Sequence, residues 1–170
     1  LHADAPWKKP FLWPVEFPEI FDRGGFDIVV TNPPYVRQEK LAALDQECYE
    51  AAFFEVFAGT ADLLVFFFAR ALQILKKGGH LAFITSNKFH RAGYGENLRG
   101  WLPAHLQIEN VVDFGDLPVF DAIAYPTILT GRKTTGIDKE RGLRAAELAP
   151  PIYRALRDEH LSPSVATVRD

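Results

Sequence analysis

The feature that most constrains the fold of this chain is a short apolar segment that ends just before two consecutive prolines. Phe26–Thr31 is rich in β-branched residues, which is typical of a strand covered on both faces of a sheet. Asn32, Pro33, Pro34 and Tyr35 follow it directly. The prolines fix φ at two positions and keep the residues before them out of the helical region, so this loop is rigid. Because ligands of open α/β sheets bind outside the carboxyl ends of the strands, the sequence predicts a ligand site at this loop.

The segments that follow the loop predict an α/β fold. Lys76-Lys77-Gly78-Gly79 is typical of a helix end, and either Thr60 or Asp62 can cap the helix that precedes it. The expected elements, in chain order, are a polar helix at 40–50, a longer helix at 63–75, a strand at 80–85, a short helix at 95–102 ending before Pro103, and strands at 108–114 and 122–130. The last two strands are joined by a short connection, which favours antiparallel neighbours. This order predicts a sheet that is mostly parallel and has a terminal antiparallel hairpin.

The composition along the chain divides it into three parts. Residues 1–25 are rich in proline and aromatic residues, which favours an extended lead-in segment over a helix. Residues 26–133 carry the predicted sheet. Residues 134–170 are charged and alanine-rich, with Pro150-Pro151 in the middle, and are interpreted as a linker leading into a further region.

Composition and charge exclude several classes of protein. The 170 residues are 48% hydrophobic and 24% charged, so the chain can bury a core. With 19 basic and 22 acidic residues its formal charge is -3, which excludes holding nucleic acid by net charge alone. The single cysteine, Cys48, excludes a disulfide framework, and the five scattered histidines lack ligand spacing, so no metal site is expected. Without a signal peptide or a run of ~20 apolar residues, a cytoplasmic location is expected.

The chemistry of the proline loop suits a planar group that carries an amino nitrogen. The prolines lack backbone N–H groups, so carbonyl oxygens dominate the loop, and Asn32 adds a side-chain oxygen. Two fixed acceptors, the Asn32 side-chain oxygen and the Pro33 carbonyl oxygen, can hold both N–H bonds of an amine. That arrangement directs the nitrogen lone pair towards an electrophile, while the ring stacks on Tyr35 as an extruded base does.

These residues resemble a known family. Phe26–Tyr35 looks like motif IV of the S-adenosylmethionine-dependent adenine-N6 DNA methyltransferases of restriction–modification systems, including those that fuse endonuclease and methylase. Residues 61–84 are similar to the helix-and-strand block that follows this motif in the family. Residues 97–102 resemble the next helix, and residues 112–120 resemble the final hairpin. The resemblance covers about residues 11 to 133.

The resemblance implies a fold, a cofactor, a substrate and a set of site residues. The implied fold is the C-terminal half of a Rossmann-like methyltransferase sheet, the cofactor is S-adenosylmethionine, and the substrate is double-stranded DNA. The implied roles are catalysis by Asn32, Pro33, Pro34 and Tyr35, cofactor contact by Phe67 and Asn32, and stacking on the flipped adenine by Tyr35 and Phe120.

The chain departs from the family in what it lacks. The family binds its cofactor with a Phe-x-Gly-x-Gly loop before motif IV, and here only Gly24-Gly25 precedes Asp27. The target-recognition region expected downstream is also absent, apart from its first residues after Pro150, and the chain does not begin with Met. We therefore expect a catalytic piece that is inactive alone, with the rest of its parent polypeptide as a partner.

Several interpretations stay open from the sequence. Lys88 and Arg91 follow the strand at 80–85, where they can meet DNA phosphates or belong to an ordinary solvated loop. Related proline loops also serve cytosine-N4, RNA guanine and protein glutamine methylation, because each target is a planar nitrogen. A non-catalytic binding module that keeps the fold is a further alternative.

Overall fold

The computed structural model describes residues 11–41, 43–114, 125–136 and 164–167, which form one five-stranded sheet with its helices. The helices and strands, in chain order, are α1 (Trp13–Glu16), α2 (Pro18–Phe21), β1 (Phe26–Thr31), a 3-10 turn (Gln38–Lys40), α3 (Ala43–Ala52), α4 (Leu63–Ile74), β2 (Leu75–Ser86), 3-10 turns at Asn87–His90 and Gly93–Gly95, α5 (Glu96–His105), β3 (Leu106–Asp113), β4 (Pro126–Lys133) and β5 (Ser164–Thr167). No helix in these described ranges is long and apolar enough to cross a membrane.

The strand order of the sheet is β1-β2-β4-β3-β5. β1 and β2 are parallel, whereas β4 runs antiparallel to both β2 and β3. The first three strands along the chain therefore point the same way, and the predicted α/β fold with an antiparallel β3–β4 pair is confirmed. β4 does not lie at the edge of the sheet, however, because it is inserted between β2 and β3. β5 pairs antiparallel with the outer side of β3, so residues 164–167 join the same sheet.

The core lies between one face of the sheet and the helices. Helix α4 is apolar on nearly all sides, which is typical of a buried helix. Its Phe68 is fully buried and stacks on Phe83 of β2, with ring centroids 4.2 Å apart. Leu81 and Thr85 share the face of Phe83 and are also fully buried, while Ala82 between them is only half-buried. In the described chain the helices therefore cover one face of the sheet.

Strand β1 differs from its prediction. It pairs only with β2 in the part of the chain that the structure describes. Val29 packs against the core, but Ile28 and Val30 on the opposite face are 60% and 73% exposed. The expectation that this strand is covered on both faces is wrong here, because no described element lies over its second face.

The expectation of an extended lead-in is wrong for residues 13–21, which form α1 and α2. Each short helix carries a proline within its first two positions, where the missing N–H costs no helical hydrogen bond. The rings of Trp13 and Phe17 stack at 5.9 Å, and Phe17 and Phe21 contact Phe26 of β1 edge-on. The aromatic residues therefore anchor two helical turns onto the start of β1.

The connection from α4 to β2 is tighter than predicted. Helix α4 ends at Ile74, and Lys76 to Gly79 belong to β2 because residue 75 already pairs with Phe26 of β1. Gly78 has a positive φ of 74°. Gly25 has φ 116°, and a Cβ there would collide with the backbone oxygen of Ile74. Only glycine allows the start of β1 to approach the end of α4 this closely.

Candidate active site

A cavity lies at the edge of the sheet where β1 and β2 end. Its volume is about 210 Å³, several times the ~30 Å³ that a water molecule takes in the liquid but below the ~300–1,000 Å³ typical of complete ligand pockets. The residues that line it are Tyr35, Val36, Arg37, Asp62, Leu64, Ser86, Lys88, Tyr94 and Tyr125. It therefore has room for a ring-sized ligand.

The sheet topology explains why these segments converge. β1 and β2 are parallel, so the residues that follow them meet at the same edge. β4 is antiparallel to β2, and Pro126 at its start pairs with Ser86 at the end of β2. The preceding residue, Tyr125, is therefore brought to the cavity, where its carbonyl accepts a hydrogen bond from the Asn87 N–H at 2.7 Å.

The proline loop lies beside this cavity. Pro33 is buried, while Asn32 and Pro34 are exposed. The Pro34 carbonyl accepts a hydrogen bond from the Val36 N–H at 3.0 Å, which closes a tight turn around Tyr35. Tyr35 lines the cavity, whereas Asn32 and Pro33 are next to it along the loop without lining it. The sequence-predicted loop thus contributes one aromatic wall and places its acceptor groups at the border.

Three tyrosines line the cavity, and burial favours the neutral hydroxyl of two of them, Tyr35 and Tyr94. Tyr35 is 46% exposed, and its partial burial raises the pKa of its hydroxyl. The pKa of Tyr94 is raised further, first by burial and then by the negative charge of Asp62 and a hydrogen bond to it. With Tyr125, these rings give the cavity aromatic surfaces on which a flat ligand can stack.

Two cations lie on the border of the cavity. Arg37, two residues beyond Tyr35, and Lys88 in the turn after β2 both line it and are exposed. The Lys88 N–H donates to the Ser86 hydroxyl oxygen at 3.3 Å, which fixes the start of that turn. Arg91 is exposed at the end of the same turn and does not line the cavity. The structure thus places one of the two predicted phosphate-binding residues at the cavity.

Hydrogen bonds connect the turn that carries Lys88 to β3 and to the start of β4. The Asn87 side-chain amide donates to the carboxylate of Asp113 at 3.0 and 3.3 Å, and Asp113 is buried at the end of β3. Together with the bond between Asn87 and Tyr125, this fixes the turn against β3 and β4. The cavity wall formed by residues 86–88 is therefore held by three strands.

The structure tests neither of the two predicted aromatic contacts outside the loop, Phe67 and Phe120. Phe66, the neighbour of Phe67 on α4, is buried and stacks on Tyr49 at 4.6 Å, so it belongs to the core. Phe67 is half-buried at the next position of α4 and does not line the cavity. Its contact with a cofactor stays a prediction. Phe120 lies outside the described residues.

Of the residues that line the cavity, sequence reasoning identified Tyr35 and Lys88 and missed others, among them Arg37, Asp62, Tyr94 and Tyr125. Asp62 was, with Thr60, one of two residues expected to be able to cap α4, and it does occupy the N-cap position, but its side chain makes no capping hydrogen bond. The sequence predicted β4 only as the antiparallel neighbour of β3, so it gave no signal for Tyr125, whose position depends on the pairing of β4 with β2. Tyr94 and Arg37 reach the cavity through loop conformations for which the sequence carries no periodic signal.

Comparison with known proteins decides the family. Residues 4–120 match the Eco57I restriction-modification methylase family, which is more than half of the chain. The chain belongs to this family. The type II methyltransferase M.XhoI of Xanthomonas vasicola is 32% identical over 152 residues, which are 84% of this chain and 28% of M.XhoI. This methylase chain therefore spans less than a third of that relative.

Solved structures confirm the methyltransferase fold. A Listeria monocytogenes protein assigned to the class I S-adenosylmethionine-dependent methyltransferases aligns with a TM-score of 0.52 at 19% identity, covering 79% of this chain and 42% of that protein. The ATP-dependent type ISP restriction-modification enzyme LlaBIII, solved bound to DNA, aligns with a TM-score of 0.52 at 14% identity, covering 79% of this chain and 12% of LlaBIII. The sheet described above is thus the Rossmann-like sheet of S-adenosylmethionine-dependent methyltransferases.

Proposed function

We propose that this methylase chain carries the target-base site of a DNA adenine-N6 methyltransferase. The observation that carries the proposal is the rigid loop at Asn32–Tyr35, placed directly beside a cavity with three tyrosine rings and two cations on its border. A restriction–modification methylase needs a site that accepts a flipped base and presents its amine. Loop and cavity together have the chemistry for both tasks.

The roles of the loop follow from its hydrogen-bonding groups. The Asn32 side-chain oxygen and the Pro33 carbonyl accept the two N–H bonds of the adenine amine, and Tyr35 stacks on the ring. Within the described chain the Asn32 side chain has no hydrogen-bond partner, and it is exposed directly after β1. Its oxygen is thus free to bind substrate. Holding the amine in this orientation contributes to catalysis through positioning and through preformed acceptors.

S-adenosylmethionine, when bound, supplies an electrophilic methyl group to the amine nitrogen. The half-buried ring of Phe67 offers an apolar surface and the exposed amide of Asn32 offers a hydrogen-bonding group, so the chemistry of both residues fits such a cofactor. The Phe-x-Gly-x-Gly loop expected to bind the rest of the cofactor is not in these 170 residues. We infer that it lies elsewhere in the parent polypeptide and that this chain is inactive alone.

The exposed face of β1 supports the need for a further part of the polypeptide. Ile28 and Val30 are apolar and largely exposed, and β1 has no described neighbour on its outer side. An open, apolar edge strand favours pairing with another segment. An upstream segment that adds a strand beside β1 and packs a helix over Ile28 and Val30 would complete both the edge and the face, and would bring the cofactor loop to the same end of the sheet as Asn32.

Double-stranded DNA is the proposed substrate. The protein is proposed to act on it in the cytoplasm, where the genome lies. Arg37 and Lys88 border the cavity, so they are placed to contact phosphates on either side of a flipped nucleotide, with Arg91 further along the same turn. Their local positive charge can attract DNA although the whole chain has a formal charge of -3.

The test is to identify the methylated nucleoside. The full-length polypeptide encoded by the gene is incubated with S-adenosylmethionine and unmethylated genomic DNA, which contains every short recognition sequence. The DNA is then digested to nucleosides and analysed by mass spectrometry. We expect N6-methyladenine. N4-methylcytosine would contradict the adenine assignment, and no methylated nucleoside from protein that binds S-adenosylmethionine would favour a non-catalytic module.

A further inference from the structure

Asp62 occupies the N-cap position of α4 but uses its side chain elsewhere. Its backbone is extended, with φ -66° and ψ 155°, as N-cap residues usually are. An aspartate in this position normally accepts a hydrogen bond from an N–H in the first turn of its own helix. Here the side chain makes no such bond. The carboxylate is therefore engaged outside the helix that it precedes.

The carboxylate is bonded to the segment that follows the proline loop. Its Oδ1 accepts a hydrogen bond from the Gln38 backbone N–H at 3.1 Å, across 24 positions of sequence. Gln38 begins a 3-10 turn, and the first N–H groups of such a turn have no partner within it. Asp62 therefore caps a turn that belongs to the active-site loop rather than its own helix.

A second hydrogen bond runs in the opposite direction between the same segments. The Leu63 N–H donates to the Val36 carbonyl at 3.1 Å. Residues 36 and 38 are thus both bonded to the two residues at the start of α4. The other end of the same short loop is fixed by the two prolines and by the bond between Val36 and Pro34. Tyr35 lies between these two fixed points.

Asp62 also has a tyrosine neighbour at the cavity. Asp62 and Tyr94 both line the cavity, and Asp62 is half-buried there. Burial, followed by the nearby negative charge of Asp62, raises the pKa of the Tyr94 hydroxyl and favours its protonated form. The carboxylate at the start of α4 thus bonds the loop from β1 and lies beside the turn before α5.

We propose that Asp62 is a positioning residue for methyl transfer: it fixes Tyr35 and the Asn32–Pro33 acceptors relative to α4 by bonding residue 38. The proposal rests on the proposed function of the loop. Misplacing a reacting group by about 1 Å can cost up to about 100-fold in rate. Loss of the Asp62 bond therefore acts on the methyl-transfer step through the loop rather than through contact with the reacting atoms.

The test compares two substitutions of Asp62 in the full-length polypeptide. Asp62→Asn keeps a side-chain oxygen in place, so it can still accept from the Gln38 N–H although its charge is lost. Asp62→Ser keeps a good N-cap for α4 but is too short to reach Gln38. The matched control is Asp45→Ser, because Asp45 is an exposed aspartate in the first turn of α3 and does not line the cavity.

The readout is the single-turnover rate constant of methyl transfer at saturating S-adenosylmethionine and DNA. This rate constant does not depend on the fraction of folded enzyme, so general destabilisation leaves it unchanged. We expect Asp62→Ser to lower it roughly 10- to 100-fold, Asp62→Asn to stay within a few-fold of wild type, and Asp45→Ser to equal wild type. Calorimetric affinity for S-adenosylmethionine should change less than about twofold in all three.

The outcomes separate this proposal from the proposed function. Equal losses in Asp62→Asn and Asp62→Ser would overturn it, because charge rather than the bond to Gln38 would then matter. An unchanged rate constant in Asp62→Ser, while wild type forms N6-methyladenine, would also overturn it and leave the function intact. If wild type forms a different methylated nucleoside, the adenine assignment fails, whereas the comparison among the Asp62 variants still tests the positioning role.

Discussion

At the residue scale, the proline loop was readable from sequence because its constraint is local. Pro33 and Pro34 set their own backbone whatever surrounds them, and the strand before them is a short apolar run. Tyr35 accordingly lies at the cavity. Asp62 and Tyr125 could not be assigned to it in the same way, because their positions depend on a cross-loop bond and on where β4 enters the sheet.

A substitution at Tyr35 tests the stacking role. Stacking of a base on an aromatic ring contributes about 1–3 kcal/mol, so Tyr35→Ala should lower kcat/KM for DNA roughly 5- to 150-fold. Tyr35→Phe keeps the aromatic face and should stay close to wild type. Steady-state methylation by the full-length protein measures both. A Tyr35→Ala variant with unchanged kcat/KM would remove Tyr35 from the substrate site.

At the scale of elements, periodicity located the helices, and packing decided where they end. Helix α4 and the antiparallel pair of β3 and β4 were predicted correctly. Helix α5 was expected to end before Pro103 but continues to His105, because Leu98, Leu102 and Pro103 are buried and hold its last turn against the core. The prediction of an extended segment at residues 13–21 was wrong for a related reason. Aromatic packing on Phe26 favours helical turns there, and a helix accepts proline at its first positions.

The burial of His90 in the turn after β2 predicts that the stability of the protein depends on pH. His90 is buried in this turn with Nε2 3.4 Å from the Thr127 hydroxyl, which itself donates to the Val112 carbonyl. Burial, with smaller effects from the positive charges of Arg99 and Arg91, lowers the pKa of His90 to about 3. An unfolded histidine titrates near pH ~6.5, so below that pH the unfolded state binds one more proton than the folded state. The stabilising effect of a neutral His90 is complete above pH ~6.5 and is lost as the pH falls towards about 3.

The variant His90→Gln tests this directly, because glutamine keeps an N–H donor for Thr127 but does not titrate. Between pH ~6 and pH ~4 the wild-type free energy of unfolding should fall relative to the variant by up to about 1.4 kcal/mol per pH unit. Scanning calorimetry of both full-length proteins from pH 7.5 downwards gives the difference in melting temperature, in which the other titrating groups cancel. Parallel curves for the two proteins would show that His90 is not the titrating group.

At the scale of the whole molecule, the fold class could be predicted and the completeness of the sheet could not. The order of strand, helix and strand with a tight final pair favours an α/β sheet, as found. The apolar sequence of β1 predicted cover on both faces, yet Ile28 and Val30 are exposed in the described chain. The apolar pattern of a strand indicates that both of its faces need to be covered. The element that covers them can lie in another part of the polypeptide.

This argument predicts a difference in cofactor binding between the chain and its parent. The 170-residue chain should show no S-adenosylmethionine binding by calorimetry, whereas the full-length polypeptide should bind it. Near-ultraviolet circular dichroism of the chain provides the control that its tyrosines and tryptophans are packed. Equal affinity of both proteins would contradict the inference that the main cofactor loop lies outside these residues.

The most direct test of the central claim is the single-turnover rate of methyl transfer by Asn32→Ala in the full-length protein. Removing one preformed hydrogen-bonding group from a reacting centre costs about 100- to 1,000-fold. We expect a loss of this size at saturating S-adenosylmethionine and DNA, where a weakened cofactor contact does not contribute, while Gln73→Ala, an exposed amide on α4 away from the cavity, keeps the wild-type rate. An Asn32→Ala rate equal to wild type would show that the proline loop is not where the target amine is held.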